Sequence, residues 1–275
     1  MPPAIPILLF DIDGVLVEPR GYCAAVQESI RHFIQPWGLP GNFQAGPELY
    51  AFFEAHRITS EWDMVPILLS ALLDCLLQAD PDLPVPPFVE SLPSLRPRRV
   101  PHTPDYEGYI QRLASRLRPG EYPAETALRS PDLFAHLSPR PLWARLLSAS
   151  REVAVSPTTR LFQQYSLGSE VFQEVYGLPA DTHTPSFLQV HDRPLLDPAW
   201  RDLLLAAWEA GKLGLVAFTQ RPSLPPREQK KTPGGYSPEA EMALGLVKLD
   251  PIPLIGYGRM RSLAEERSVE TEKLL

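Results

Sequence analysis

The segment PILLFDIDGVLV, residues 6–17, joins an apolar run to two aspartates and a glycine. A continuous apolar run of this length is typical of a central strand in a parallel sheet, and the aspartate that ends it predicts the carboxyl edge of that sheet. Unpaired carboxylates are costly there, so a chemical role for Asp11 and Asp13 is favoured over a structural turn. A calcium loop is disfavoured, because its later ligand positions are Val15 and Val17, which have no side-chain oxygen.

Two later segments have the same strand pattern. LGLVAFT (213–219) follows the helical pattern PAWRDLLLAAWEAG (198–211), and PIPLIGYG (251–258) follows the helical pattern SPEAEMALGLV (237–247). A helix that leads into a buried strand is half of a crossover unit in a parallel sheet. The predicted fold class is therefore α/β, with one parallel sheet that contains all three strands.

The chain between the first and second strands has no convincing buried-strand pattern and is mostly helical. Its apolar residues recur at helical spacing, which predicts helices over GYCAAVQESIRHFI (21–34), ELYAFFEAHR (48–57), VPILLSALLDCLL (65–77), YEGYIQRLASRL (106–117) and EVFQEVYG (170–177). We therefore expect a protein in two parts. Residues 1–20 and 197–275 form the core, and residues 21–196 form an inserted helical segment.

The composition is that of a folded globular protein, and it restricts the possible partners. The chain of 275 residues is 44% apolar and 21% charged, with a formal net charge of −7 and 33 prolines. Lys and Arg are dispersed, so no basic stripe predicts binding to nucleic acid. The sequence carries no signal for an oligomeric state.

Several features predict a cytoplasmic protein with no membrane partner. The N-terminal segment MPPAIPILLF lacks a basic region and is interrupted by prolines, so it fits neither a signal peptide nor a membrane anchor. The apolar segment at 65–77 is too short to span a bilayer and contains Asp74. Cys23 and Cys75 lie in apolar helical patterns without metal-ligand spacing, which predicts buried thiols in a reducing compartment.

Polar residues at the ends of the first two strands predict a common site. The carboxyl ends of neighbouring parallel strands meet at one edge of a sheet. At the second of these ends Thr219 offers a hydroxyl, the turn at Gln220 offers backbone N–H groups, and Arg221 offers a guanidinium. An acidic pair, Asp11 and Asp13, that faces such donors predicts a phosphate and a divalent metal bound together.

The two aspartates fit a phosphoryl-transfer mechanism with a covalent intermediate. A carboxylate can attack phosphorus when a metal offsets the repulsion between the two anions, and Asp11 fits this nucleophile. Asp13 lies two residues later on a turn, so it can protonate the leaving oxygen and then activate the hydrolytic water. Mg²⁺ is the predicted cofactor, because it prefers oxygen ligands and takes only one or two carboxylates.

These motifs resemble those of a known family. FDIDGVLV (10–17) resembles the first motif of the haloacid dehalogenase (HAD) superfamily of phosphohydrolases, and AFTQRP (217–222) is similar to its second, an apolar strand followed by T-x-R-P. The helical segment between them is similar to the C1 cap of subfamily I. The resemblance implies a Rossmann-like parallel-sheet core with a large helical cap, which closes over the active site and selects the substrate.

The resemblance also implies roles for single residues. By it, Asp11 is the nucleophile and a metal ligand, Asp13 is the acid/base with its backbone carbonyl on the metal, and Thr219 holds phosphoryl oxygens. Because dehalogenase members lack the second aspartate, Asp13 favours chemistry on a phosphate ester over cleavage of a carbon–halogen bond. The third motif is a phosphate-neutralising lysine, for which Lys248 and Lys273 compete. Order along the fold favours Lys273.

The fourth motif of the superfamily, an acidic pair that completes the metal site, has no counterpart after LIGYGRM (254–260). This predicts either a C-terminally truncated chain or a member that has lost activity. The expected function is Mg²⁺-dependent hydrolysis of a small phosphomonoester, with a small phosphorylated metabolite as the partner. Two alternatives are compatible with the same residues: a phosphotransferase or phosphomutase with the same intermediate, and a phospholigand-binding protein without turnover.

Overall fold

The structure is a computed structural model of a mixed α/β protein. It describes residues 5–39, 46–98, 103–225 and 236–267.

Residue contacts divide the chain into two compact units. Unit 1 comprises Met1–Gly21 and Leu167–Leu275, and unit 2 comprises Tyr22–Ser166. The sequence placed the second boundary near residue 197 instead. Residues 167–196 lie in unit 1, because a short strand within them pairs with the segment that follows the first strand.

Five strands form two sheets in the described residues. They are β1 (Ile7–Asp11), β2 (Val17–Glu18), β3 (Arg193–Pro194), β4 (Gly214–Phe218) and β5 (Leu254–Ile255). A parallel sheet has the order β1-β4-β5, and β2 pairs antiparallel with β3. The prediction of an α/β protein with three parallel strands is confirmed, since β1, β4 and β5 lie within the three segments that have the strand pattern.

Twelve α-helices lie in the part of the chain that the structure describes. In chain order they are α1 (Arg20–Ile34), α2 (Pro47–Ala55), α3 (Glu61–Ala79), α4 (Tyr106–Ala114), α5 (Pro123–Leu128), α6 (Leu142–Leu147), α7 (Pro157–Leu167), α8 (Ser169–Tyr176), α9 (Phe187–His191), α10 (Pro198–Glu209), α11 (Glu239–Val247) and α12 (Tyr257–Arg267). The seven helices predicted from apolar spacing coincide with α1 to α4, α8, α10 and α11.

Local residue chemistry sets the limits of α10. Asp197 precedes the helix, and its Oδ1 accepts the N–H of Ala199 at 2.8 Å. Pro198 occupies the first helical position, where the missing N–H costs no helical hydrogen bond. Gly211 follows the helix with a φ of +65°, a left-handed conformation that glycine adopts without strain. The chain then enters β4, which lies parallel to β1.

One face of the parallel sheet packs against helices. The register pairs Phe10 with Ala217 and Ala217 with Leu254, so these side chains share a face. Leu215, two residues before Ala217, lies on the same face. Together they contact buried residues of α11 and partly buried residues of α10, namely Ala240, Ala243, Leu244, Val247, Leu204, Leu205 and Trp208. This cluster is the core of unit 1.

The opposite face of the sheet is exposed in the described structure. The register pairs Leu9 with Val216 and Phe218 with Ile255, and Ile7 lies two residues before Leu9 on the same side. Ile7 is 65% exposed, Leu9 68%, Phe218 41% and Ile255 38%. Parallel sheets are usually covered on both faces. The prediction that the first apolar run is a buried, central strand is therefore wrong. In the described residues β1 lies at the edge of the parallel sheet, and Ile5, Ile7, Leu8 and Leu9 are all exposed.

Leu215 and Leu9 provide a matched test of the two faces. Leu215→Ala is expected to lower the free energy of unfolding by about 2–5 kcal/mol, because it opens a cavity in the core of unit 1. Leu9→Ala is expected to change it by less than about 1 kcal/mol, because the side chain is already mostly in solvent. Urea denaturation followed by circular dichroism measures both values. Equal losses in the two variants would contradict the assignment of the faces.

Helix α3 is a core helix of unit 2, where it contacts α4, α5 and α6. Its length and composition would suffice to cross a membrane, but 78% of its most apolar window is buried inside the protein. Burial of this kind is typical of the central helix of a helical unit. Cys75 on this helix and Cys23 on α1 are free thiols of intermediate exposure, so they are less buried than the core positions predicted for them.

Asp63 on α3 is a buried carboxylate with several partners. It forms a salt bridge with Arg151 and accepts the backbone N–H of Ala124 at 3.0 Å. Burial raises the pKa of Asp63 above its ordinary value, while Arg151 and the N–H of Ala124 oppose that shift. The charge of Asp63 in the interior therefore depends on these partners.

Candidate active site

The register of the parallel sheet brings the two predicted strand ends together. Asp11, the last residue of β1, is the direct partner of Phe218, the last residue of β4. Asp13 and Thr219 therefore follow the carboxyl ends of neighbouring strands. The carboxylate of Asp13 also contacts Arg221 directly. The residues from the two strands thus meet at one edge of the sheet, as the sequence predicts.

A tight turn after β1 positions Asp13. The carbonyl oxygen of Ile12 accepts the N–H of Val17 at 2.9 Å, and the N–H of Gly14 donates to the carbonyl oxygen of Val17 at 2.8 Å. Gly14 has a φ of +75°, a left-handed conformation that favours glycine. The turn takes the chain out of the strand at Asp13, and there its carboxylate reaches Arg221.

The pairing of β2 with β3 brings a third aspartate to this edge. Glu18 pairs with Arg193, so the preceding residue, Asp192, lies next to the start of α1. Oδ1 of Asp192 accepts the N–H of Gly21 at 2.6 Å across a separation of 171 residues. Sequence reasoning missed Asp192, because no local pattern distinguishes it and only the pairing of two very short strands places it.

Arg221 bridges two of the aspartates. Its Nε donates to Oδ1 and Oδ2 of Asp13 at 2.9 and 3.1 Å, and its Nη2 donates to Oδ1 of Asp13 at 2.5 Å and to Oδ2 of Asp192 at 3.0 Å. The side chains of Arg221 and Asp192 are 2% and 1% exposed, whereas that of Asp13 is 37% exposed. The bond to Asp192 is therefore buried, while the bonds to Asp13 border on solvent.

Burial has the largest effect on the ionisation of Asp192. It raises the pKa of this carboxyl above its ordinary value, and the nearby carboxylate of Asp13 acts in the same direction. Arg221 and the N–H of Gly21 oppose the shift, because they stabilise the anion. Asp192 therefore relies on these two partners to carry a charge in the interior.

Thr219 and Gln220 form the turn between β4 and Arg221. Thr219 is buried, and its N–H donates to the carbonyl oxygen of Ile255 at 3.0 Å. Its hydroxyl oxygen accepts the N–H of Arg221 at 3.1 Å, so the side chain holds the turn. The hydroxyl keeps its own O–H as a donor, which is the group that a phosphoryl oxygen needs. Gln220 is exposed.

The loop after Arg221 packs closely on the start of α12. The N–H of Gly258 donates to Oγ of Ser223 at 2.9 Å, and the N–H of Tyr257 donates to the carbonyl oxygen of Arg221 at 3.2 Å. A Cβ at Gly258 would lie 2.0 Å from the carbonyl oxygen of Ser223, and a Cβ at Gly256 would lie 2.7 Å from its Cβ. Because neither glycine has a side chain, the loop that carries Arg221 can pack against this segment. Sequence reasoning missed this role of the two glycines.

Asp11 and Asp13 can supply oxygen ligands to a divalent cation. Asp11 is exposed at the end of β1, and its Oδ1 accepts the N–H of Ile12 at 2.7 Å. Both carboxylate oxygens of Asp13 accept from Arg221, so its backbone carbonyl is the donor that it can offer. Mg²⁺ takes few protein ligands and keeps several waters, so this pair fits it. Within the described ranges, no group of three or more His, Cys, Asp or Glu residues could hold a metal.

The two candidate lysines lie in different parts of the chain. Lys248 follows α11 and precedes β5, so it lies towards the amino ends of the strands and away from Asp11. Lys248 is therefore a poor candidate for the phosphate-neutralising role. Lys273 lies outside the described residues, and its assignment to that role stays a prediction.

Comparisons with known proteins bear on the fold. No family model and no curated protein matches the sequence. An X-ray structure of a Northeast Structural Genomics Consortium target is similar to this chain, with a TM-score of 0.60 and 15% sequence identity. The match covers 96% of this chain and 72% of that one. At this level of identity the similarity concerns the fold alone.

Proposed function

We propose that unit 1 is the catalytic core of a Mg²⁺-dependent phosphatase, which hydrolyses a small phosphomonoester through an aspartyl-phosphate. The observation that carries the proposal is the β1–β4 register, which pairs Asp11 with Phe218 and joins the acidic pair to residues 219–221. The strand order β1-β4-β5, and the insertion of a mainly helical unit between β1 and β4 in the sequence, support the finer assignment of a Rossmann-like HAD core with a C1-type cap.

Asp11 is the nucleophile of the proposed reaction. Its carboxylate attacks phosphorus, the bond between phosphorus and the leaving oxygen breaks, and an aspartyl-phosphate forms. The leaving oxygen takes a proton from the carboxyl of Asp13. Mg²⁺, held by the carboxylate of Asp11 and the carbonyl of Asp13, would offset the repulsion between the carboxylate and the anionic phosphoryl group.

Asp13 handles the proton in both halves of the reaction. In the second half a water attacks phosphorus, the ionised Asp13 accepts a proton from that water, and inorganic phosphate leaves as Asp11 is regenerated. Arg221 donates to both carboxylate oxygens of Asp13 in the structure. Proton transfer therefore requires Asp13 to leave this ion pair, and phosphoryl oxygens can compete for the same guanidinium.

Trapping the covalent intermediate tests this function. The protein is mixed with p-nitrophenyl phosphate and Mg²⁺, quenched in acid and digested, and the peptide that contains Asp11 is analysed by mass spectrometry. We expect release of p-nitrophenol and a phosphoryl group on Asp11 that hydroxylamine removes. Chelation of the divalent ion should abolish both. Release of p-nitrophenol with the phosphoryl group on another residue would contradict the mechanism.

Binding of a phosphorylated ligand without turnover is the second candidate function. This function is favoured by the ion pair in which both carboxylate oxygens of Asp13 accept from Arg221, since these oxygens are then not free to contact a leaving oxygen. Binding of inorganic phosphate without release of p-nitrophenol would select this function. A phosphotransferase would form the same intermediate, and transfer to a sugar-phosphate acceptor would identify it.

A further inference from the structure

Arg221 has two carboxylate partners that differ in accessibility, and this difference suggests how the site works. Asp192 is buried with it, whereas Asp13 borders on solvent. We infer that Arg221, Asp13 and Asp192 form a latch. In it, Asp192 holds the guanidinium in place, and a phosphoryl group displaces Asp13 as the other partner of the guanidinium. The latch rests on the proposed phosphate site and concerns its regulation. It makes Asp192 a positioning residue.

Asp192 is the fixed side of the latch. Its side chain is 1% exposed, and its two carboxylate oxygens are used separately, Oδ1 by the N–H of Gly21 and Oδ2 by Arg221. A Cβ at Gly21 would lie 2.7 Å from Cα of Leu188, 2.8 Å from the carbonyl oxygen of Phe187 and 2.9 Å from Oδ1 of Asp192. The start of α1 therefore packs closely against α9 and Asp192, and a side chain at position 21 would displace this contact.

Asp13 is the side of the latch that can open. Its side chain is 37% exposed and lies on the turn next to Gly14, so water can replace Arg221 as its partner. The guanidinium carries one positive charge between two carboxylates, so the three groups have a net negative charge when both acids are ionised. A phosphoryl group accepts the same forked pair of N–H bonds as a carboxylate. Exchange of Asp13 for phosphate thus keeps the charge-assisted bonds of Arg221.

The latch couples proton transfer to the presence of the phosphoryl group. While Arg221 donates to both oxygens of Asp13, neither oxygen is free to approach a leaving group. When a phosphoryl group takes the guanidinium, Asp13 is released next to the bond that breaks. The general acid is therefore available when the phosphoryl group is bound.

Titration with inorganic phosphate tests the latch without any need for turnover. Isothermal calorimetry compares the full chain with Asp13→Asn, with Asp192→Asn and with the double variant. Asp13→Asn removes the competitor and is expected to tighten phosphate binding about tenfold. Asp192→Asn removes the buried negative charge and one of the two acceptor oxygens. Arg221 is then held more by Asp13, so phosphate binding is expected to weaken about tenfold. The double variant should bind phosphate more tightly than Asp192→Asn does, because the competing carboxylate is absent.

Two variants control this experiment. Asp202→Asn removes an exposed carboxylate that pairs with Arg201 on α10, and it should leave phosphate affinity unchanged. Arg221→Gln removes the guanidinium, so Asp13→Asn should give no gain in this background. Equal gains with and without Arg221 would overturn the latch, because they would reflect removal of a negative charge alone. Thermal unfolding confirms that each variant is folded.

The outcomes separate the latch from the proposed function. If Asp13→Asn fails to rescue phosphate binding in Asp192→Asn, then Asp192 only supports the fold and the latch is wrong. This comparison decides the matter even if Arg221→Gln does not fold. Absence of phosphate binding in the full chain and in Asp13→Asn would also overturn the latch. If the variants show the expected phosphate affinities but the protein releases no p-nitrophenol, the latch is supported and the phosphatase assignment is wrong.

Discussion

Asp11→Asn is expected to lower the turnover of p-nitrophenyl phosphate by about a thousandfold or more, as loss of a catalytic nucleophile does in other enzymes. An amide is a poor nucleophile towards phosphorus, so the aspartyl-phosphate cannot form. The amide has nearly the size of the carboxylate, and its oxygen can still accept the N–H of Ile12. The fold at the end of β1 should therefore survive. Initial rates in excess Mg²⁺ measure the loss.

Asp202→Asn is the matched control for this substitution. Asp202 is a carboxylate on α10 that is 68% exposed and pairs with Arg201, so it takes no part in the proposed chemistry. Its replacement removes the same charge, and turnover should stay within about twofold of the parent protein, as for other surface changes. Activity retained in Asp11→Asn would show that another residue attacks phosphorus, and the mechanism would then be wrong.

Arg151→Met is expected to lower the free energy of unfolding by about 3–5 kcal/mol, the usual cost of leaving a buried charge without its partner. Asp63 is 0% exposed, and in this variant only the N–H of Ala124 and the hydroxyl of Ser150, at 3.0 and 3.5 Å, remain among its described partners to stabilise the anion. Methionine keeps much of the apolar length of arginine, but it loses the hydrogen bond to Ser60 and the contact of the guanidinium with the ring of Tyr122. Chemical denaturation at pH 7 measures the difference.

The pH dependence gives this prediction a second test. Burial already raises the pKa of Asp63, and loss of Arg151 removes an opposing influence. A carboxyl whose pKa is higher in the folded state binds more protons there, so stability falls as the pH rises through the folded pKa. The deficit of Arg151→Met should therefore shrink as the pH is lowered. A constant deficit would show that packing, and not charge, is responsible.

Arg116→Met is the control for Arg151→Met. Arg116 and Asp132 form a salt bridge with two short hydrogen bonds, but their side chains are 37% and 66% exposed. Solvent screens such a pair, so its loss should leave the stability nearly unchanged. A large loss in Arg116→Met would mean that substitution of arginine is harmful in unit 2 for reasons other than burial of Asp63.

Much of the fold could be predicted from local patterns. The apolar runs identify β1, β4 and β5, and spacing identifies the helices, because both signals depend on neighbouring residues. The strands β2 and β3 have two residues each, so they are too short to leave a pattern. Their pairing nevertheless assigns residues 167–196 to unit 1, which explains why the predicted boundary differs from the observed one.

Composition also gives no information on which sheet face is covered. Ile7 and Leu9 are as apolar as Leu215, yet they lie on the exposed face in the described structure. An apolar run indicates that each of its side chains prefers to be buried. It does not identify the element that covers the side chain, and this information is contained only in the tertiary structure.

The residues of the candidate site could be predicted, but their bonds could not. The motif pattern predicts an acid/base role for Asp13 and a phosphate-binding role for Arg221. The structure joins the two in an ion pair across a separation of 208 residues. The buried partner of Arg221, Asp192, has no motif of its own. A hydrogen-bond network between distant segments leaves no periodic signal in the sequence, so the sequence does not reveal the two ion pairs of Arg221.

The register of β1 with β4 also has a consequence for biosynthesis. About 200 residues separate Ile7 from its partner Gly214, whereas Tyr22–Ser166 is one continuous stretch. At ribosomal rates of about 5–20 residues per second, β4 is synthesised on the order of 10–40 s after β1, and β1 has no strand partner during that time. During that interval the helical stretch can fold on its own, while an unpaired apolar strand on the nascent chain is a ready target for chaperones.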